Sequence, residues 1–117
     1  MVRKAEGDAK AMRFLASNPE IDDEAIGFHA QQAVEKWIKA VMASAGLPEE
    51  RTHDLGGLLD ILAAAGIEAP PGSDQLDFLT GFAVPLRYEE RLDLDPLERE
   101  TVVALVDEVG EWAGRLA

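Results

Sequence analysis

In every long segment of this chain the apolar residues recur with the spacing of a helix face, and no segment shows the alternation of a half-buried strand. That pattern restricts the fold to packed helices. The chain has 117 residues, enough for one domain with one core. A composition that is 47% hydrophobic and 29% charged is that of an ordered globular protein.

The punctuation between segments sets the helix boundaries. The first helix is expected over residues 3–16, with Ala5, Ala9, Met12, Leu15 and Ala16 on its inner side. Asn18-Pro19 ends it, because the residue before proline is pushed out of the helical region. The second starts at 22–24, where acids suit the positive end of the helix dipole, and runs to Ala45, with Gly46 placed to terminate it. Asp54 reads as the N-cap of a third helix, "LGGLLDILAAAG", which stops at Gly66. A fourth begins near Ser73 or Asp74 and carries Leu76, Phe78, Leu79, Phe82 and Ala83, with Pro85 kinking or ending it. Asp95-Pro96-Leu97-Glu98 is a capping-box-like start for the fifth, which reaches the C-terminus on Val102, Leu105, Val106, Val109, Trp112, Ala113 and Leu116. Short connections between such helices imply an all-α, up-and-down bundle of four to five helices in a single domain, residues 1–117.

Function classes narrow by exclusion. The absence of cysteine rules out disulfides, thiolate metal sites and cysteine nucleophiles. No run of about 18 apolar residues could cross a membrane, and the N-terminus lacks the apolar core of a signal peptide, so a cytoplasmic location is the default. The net charge is -12. Residues 74–111 hold eleven acids against Arg87, Arg91 and Arg99, so the chain lacks the broad positive field that nucleic-acid binding needs. Phosphate loops, nucleophile elbows and metal-binding His-Glu-x-x-His patterns are absent, and no cofactor or metal is expected.

The most informative stretch is "GFHAQQAVEKWIKA", residues 27–40. Ala30, Val34, Trp37, Ile38, Val41 and Ala45 share one broad face, with Ala33 at its edge, which makes that face the core stripe. His29, Gln32, Lys36 and Lys39 fall together on the other side, and Glu35 and Lys39 form an i,i+4 pair in the favourable order. The plain reading of this side is a solvated face. Phe28 argues otherwise, since it projects among Gln32, Glu35 and Lys39 and suggests a contact surface. His53, in "RTHDL" between Arg51 and Asp54, reads as a loop histidine helping to cap the third helix. Arg87-Tyr88 sets a cation and a phenol just after Pro85.

Taken together, "FHAQQAVEKWIKA" at 28–40, "RTHDLGGLL" at 51–59 and "AVPLRYEE" at 83–90 resemble the HEPN domain family of prokaryotic proteins. The resemblance covers nearly the whole chain. It implies a bundle of four or five helices that pairs into a homodimer. It also implies a gene partner, since such proteins are commonly encoded beside a minimal nucleotidyltransferase and often form toxin–antitoxin pairs with it. Many members are metal-independent ribonucleases with an Arg-x(4–6)-His motif assembled at the dimer cleft. Here the position of that arginine matches Arg87, but no histidine follows, and no arginine stands four to six residues before His29 or His53. The chain looks like the branch with an arginine–tyrosine pair, although Glu89 stands where that branch often has proline.

The resemblance favours a covered or ligand-facing polar side. His29, Gln32, Lys36, Arg51, His53, Arg87 and Tyr88 are then the candidate ligand-binding residues, with a nucleotide as the candidate ligand. Phe28, Gln32 and Lys39 are the candidate dimer or partner contacts. A degenerate ribonuclease toxin and a purely structural dimer are the alternatives.

Overall fold

A computed structural model of the protein describes residues 2–82 and 97–117. Helix α1 spans Val2–Ala16, α2 Asp23–Ser44, α3 Leu55–Ala64 and α4 Arg99–Leu116, with 3₁₀ segments at Ser73–Gln75 and Asp77–Phe82. Among the described residues there is no strand. The fold is the all-α bundle that the periodicity implies. Helix α2 is its centre, with α1, α3, α4 and the second 3₁₀ segment all packed against it.

The core follows the stripes. Ala5, Ala9 and Met12 of α1 meet Ile26, Ala30, Val34, Trp37, Ile38 and Val41 of α2, and Val102, Leu105, Val106, Val109 and Trp112 close the bundle from α4. Each large side chain so buried stabilises the fold by about 1.5–3 kcal/mol. Trp112 is fully buried, and its indole N–H donates to the Glu68 carbonyl at 2.9 Å, which ties α4 to the loop after α3. Two helix ends match the expected glycines closely. Gly46 and Gly66 have φ of 77° and 74°. The following amides reach back to Met42 and Leu62 at 3.0 Å, the Schellman arrangement that satisfies terminal carbonyls.

Four details correct the sequence reading. Ala45 is exposed, because it is the last residue of the helical path and lies beyond the packed turn. Residues 73–82 form 3₁₀ turns in place of an α-helix. The buried Leu76 and Leu79 are three apart, the period of a 3₁₀ helix, and the intervening Phe78 is left exposed. Asp54 is the N-cap residue of α3, as expected, but its side chain makes no capping bond. The first amide of that helix, at Leu55, is instead taken by the Thr80 hydroxyl at 3.1 Å. His53 likewise does not cap α3; its ring turns to α2, as described below. Pro85 and the Asp95-Pro96 start lie outside the described residues.

Gly27 is a close-approach position. An added Cβ would stand 2.4–2.7 Å from the ring of Phe82, so only glycine lets the 3₁₀ segment seat on α2. Gly27→Ala is expected to destabilise the protein by about 1–3 kcal/mol, because overpacking outweighs alanine's helix preference of about 1 kcal/mol. In a Phe82→Ala background the same change should become stabilising. Urea denaturation of the four proteins reads both signs, and an unchanged sign would refute the contact.

Candidate functional site

The polar side of α2 is neither a plain solvated face nor an open one. Its two flanks are covered by different parts of the same chain, and a carboxylate organises each. On one flank Asp8 of α1 receives His29 through Nδ1 at 3.0 Å and the Lys36 ammonium through its other oxygen. On the other, Glu35 pairs with His53 Nδ1 at 2.7 Å and Lys39 at 3.1 Å. Each carboxylate therefore holds one histidine and one lysine.

Gln31 links the second cluster to its surroundings. It is fully buried, donates to Glu35 at 2.8 Å and to the His53 carbonyl at 3.3 Å, and accepts from Gln32 at 2.8 Å. One continuous chain of bonds thus runs from Gln32 through Gln31 and Glu35 to His53. It fastens the loop before α3 onto the middle of α2.

Glu35 is only 5% exposed. Burial by itself pushes its carboxyl up, since a low dielectric disfavours charge. The hydrogen bonds from Gln31, His53 and Lys39, with the charge of Lys39, outweigh burial and hold the group below its ordinary value. It is therefore an ionised acceptor near neutral pH, and His53 Nδ1 must donate to it. That leaves Nε2 as the acceptor nitrogen of a neutral His53, on a ring whose side chain is 56% exposed. His29 has the same arrangement against Asp8. A carboxylate that fixes an imidazole is the geometry of a general base, but a base must also meet a reacting group and a phosphate-binding partner.

The structure brings His29 and Lys36 together through Asp8, and Gln32, Lys39 and His53 together through Gln31 and Glu35. Arg51 is exposed, and no acid among the described residues pairs with it. Arg87 and Tyr88 lie outside the described residues. Phe28 is 36% exposed and meets the His29 ring edge-on, with centroids 5.5 Å apart at 75°. Next to Lys39, a cleft of about 250 Å³ has Met42, Ala43, Leu47, Pro48, Glu49 and Glu50 among its lining residues. Among the described residues no group of three or more potential ligands could hold a metal ion, and no helix is long and apolar enough to cross a membrane.

Sequence reasoning missed Asp8, and it assigned Glu35 to Lys39 alone. No local signal marks Asp8, because it lies on another helix and water satisfies an unpaired surface histidine or lysine equally well.

Comparison with curated proteins and with solved structures returned no match. A family model described as the HEPN domain matches residues 1–116, and the chain belongs to the HEPN domain family.

Proposed function

We propose that this HEPN protein is a homodimeric, non-catalytic module of the cytoplasm that partners a minimal nucleotidyltransferase in a toxin–antitoxin-like pair. One observation carries the non-catalytic part: the sequence has no Arg-x(4–6)-His motif, so neither histidine has the arginine that the family's ribonuclease chemistry pairs with it. The net charge of -12 also works against an RNA substrate.

Nucleotide is the candidate ligand. Arg51, which no described acid neutralises, is the proposed contact for phosphate, with His53 and Gln32 as proposed polar partners. Lys36 and Lys39 are already matched by Asp8 and Glu35 and contribute less net charge. Arg87 and Tyr88 complete the proposed set. Phe28 is the proposed dimer contact, a half-exposed ring next to polar groups that are satisfied internally.

Light scattering on a sizing column, run alone and after co-expression with a neighbouring nucleotidyltransferase, tests this reading. A homodimer that shifts to a stoichiometric complex is expected. An unchanged mass would overturn the partnership. Phe28→Asp is expected to give a folded monomer, and a variant that stays dimeric would place the dimer seam elsewhere.

A further inference from the structure

The outward side of α1 carries a stripe that neither the core nor the candidate site uses. At 100° per residue, Arg3, Gly7, Lys10 and Phe14 fall within about 60° of one another, opposite the buried Ala5, Ala9 and Met12. All four are exposed. Their alternating steps of four and three residues are those of a seam along which one helix packs on another.

Three independent features give this stripe a chemistry. Phe14 is 77% exposed, more than any other large apolar side chain among the described residues. Gly7 sits within the helix, where glycine is weaker than alanine, yet a Cβ there would meet no described atom within 4 Å. Packing inside the described fold does not call for a glycine at this place, whereas close approach of a second backbone does. Ala11, one turn further on, extends the same shallow hollow. Last, Arg3, Lys4 and Lys10 make no ion pair among the described residues, in a chain whose net charge is -12. Asp8, one turn from Lys4, is already held by His29 and Lys36.

We propose that this stripe docks an acidic amphipathic helix of a partner polypeptide. The apolar seam of that helix lies over Gly7 and Ala11 and against Phe14, and its carboxylates meet Arg3, Lys4 and Lys10. Screening confines these fields to about 8 Å, so the acidic remainder of the protein does not cancel the attraction. The layout of charge favours a helix over a broader polyanion. Toward α4 the sign reverses: Glu6 and Glu111 line a cleft with Arg13, whose guanidinium is held by Asp107 at 2.7 Å. A helix about 10 Å across fits the stripe without crossing that acidic border, whereas a nucleic-acid duplex lies over both. A single exposed ring is too little apolar surface to hold a bilayer. None of these residues belongs to the nucleotide or dimer sets proposed above, so the two readings stand or fall separately.

The probe is a blocked, helix-forming peptide of leucine, alanine and glutamate with its leucines at heptad spacing, and glutamine replaces glutamate in the control. Binding is followed on the whole protein by its ¹⁵N–¹H amide resonances. Those of Gly7, Lys10 and Phe14 are expected to move with the glutamate peptide and to stay still with the glutamine one. Gly7→Gln adds bulk without charge; it should raise Tm, because glutamine is the better helix former, and yet weaken binding about tenfold or more. Arg3→Gln with Lys10→Gln should weaken it about tenfold, and Phe14→Ser about fivefold. No movement along α1, or a Gly7→Gln protein that binds as tightly as wild type, would overturn the site. Tighter binding of double-stranded RNA or of phosphatidylglycerol vesicles than of the peptide would overturn it too, by assigning the basic face to a polyanion.

Discussion

Replacing Arg99 with alanine is expected to lower the stability of the fold by about 2–4 kcal/mol, or roughly 10 °C in Tm. Arg99 is the first residue of α4, yet most of its bonds are made to the turn between α1 and α2. Its guanidinium donates to the Asn18 carbonyl at 2.8 Å, to the Ala16 carbonyl at 3.5 Å, to the Ile21 carbonyl and to Asp23 at 3.1 Å. The Ala16 carbonyl closes α1, where a cation is favoured by the helix dipole. The other oxygen of Asp23 takes the Leu97 amide at 2.9 Å, so one pair of side chains locks the start of α4 to the start of α2. Alanine removes four donated bonds; the Ala16 and Ile21 carbonyls lose a partner in partly buried positions, while the exposed Asn18 carbonyl keeps the Ile21 amide and Asp23 keeps that of Leu97. Arg99→Lys keeps the charge but not the fork, and should recover less than half of the loss. Urea denaturation of both variants measures this. A loss below about 1 kcal/mol for the alanine variant would mean that water replaces the guanidinium at little cost.

That clamp also shows what a single sequence could and could not disclose. Helix periodicity located α1, α2, α3 and α4, and Gly46 and Gly66 marked two of their ends, because these features are local. The all-α fold follows from them. Arg99 carried no local signal: its partners lie about 80 residues earlier, and only packing brings them near. Residues 73–82 misled for a related reason. Their apolar pattern fits an α-helix and a 3₁₀ helix about equally, and the seat of Phe82 on Gly27 is a tertiary contact. At the candidate site, His29, Gln32, Lys36 and Lys39 could be read out from sequence because polar residues stand together on one side of a helix whose other side is apolar, and His53 because it stands between Arg51 and Asp54 in a loop. Their grouping around Asp8 and Glu35 could not, since each carboxylate reaches across elements.

Glu35→Gln should cost about 2–4 kcal/mol at pH 7, and most of that cost should disappear in acid. The amide keeps the shape of the side chain but offers one acceptor where the carboxylate offers two. Gln31, His53 and Lys39 all donate toward that group, so one donor would face an NH₂ in a site that is nearly dry. The pH dependence separates charge from packing. Glu35 titrates in the folded protein below its ordinary value. Its stabilising contribution is therefore fully present above the unfolded-state value of about 4.3 and is lost as pH falls through the lower folded value. The stability gap between wild type and variant should be widest near neutrality and shrink below about pH 4. A gap that stays constant with pH would assign the effect to packing alone. The same variant bears on function, because Glu35 is what fastens His53, and with it Arg51, to α2. Amide exchange in residues 51–54 should quicken in Glu35→Gln well before the bundle loosens. Any nucleotide affinity that depends on Arg51 should then fall with it, since a cation on a released loop must be ordered again each time phosphate binds.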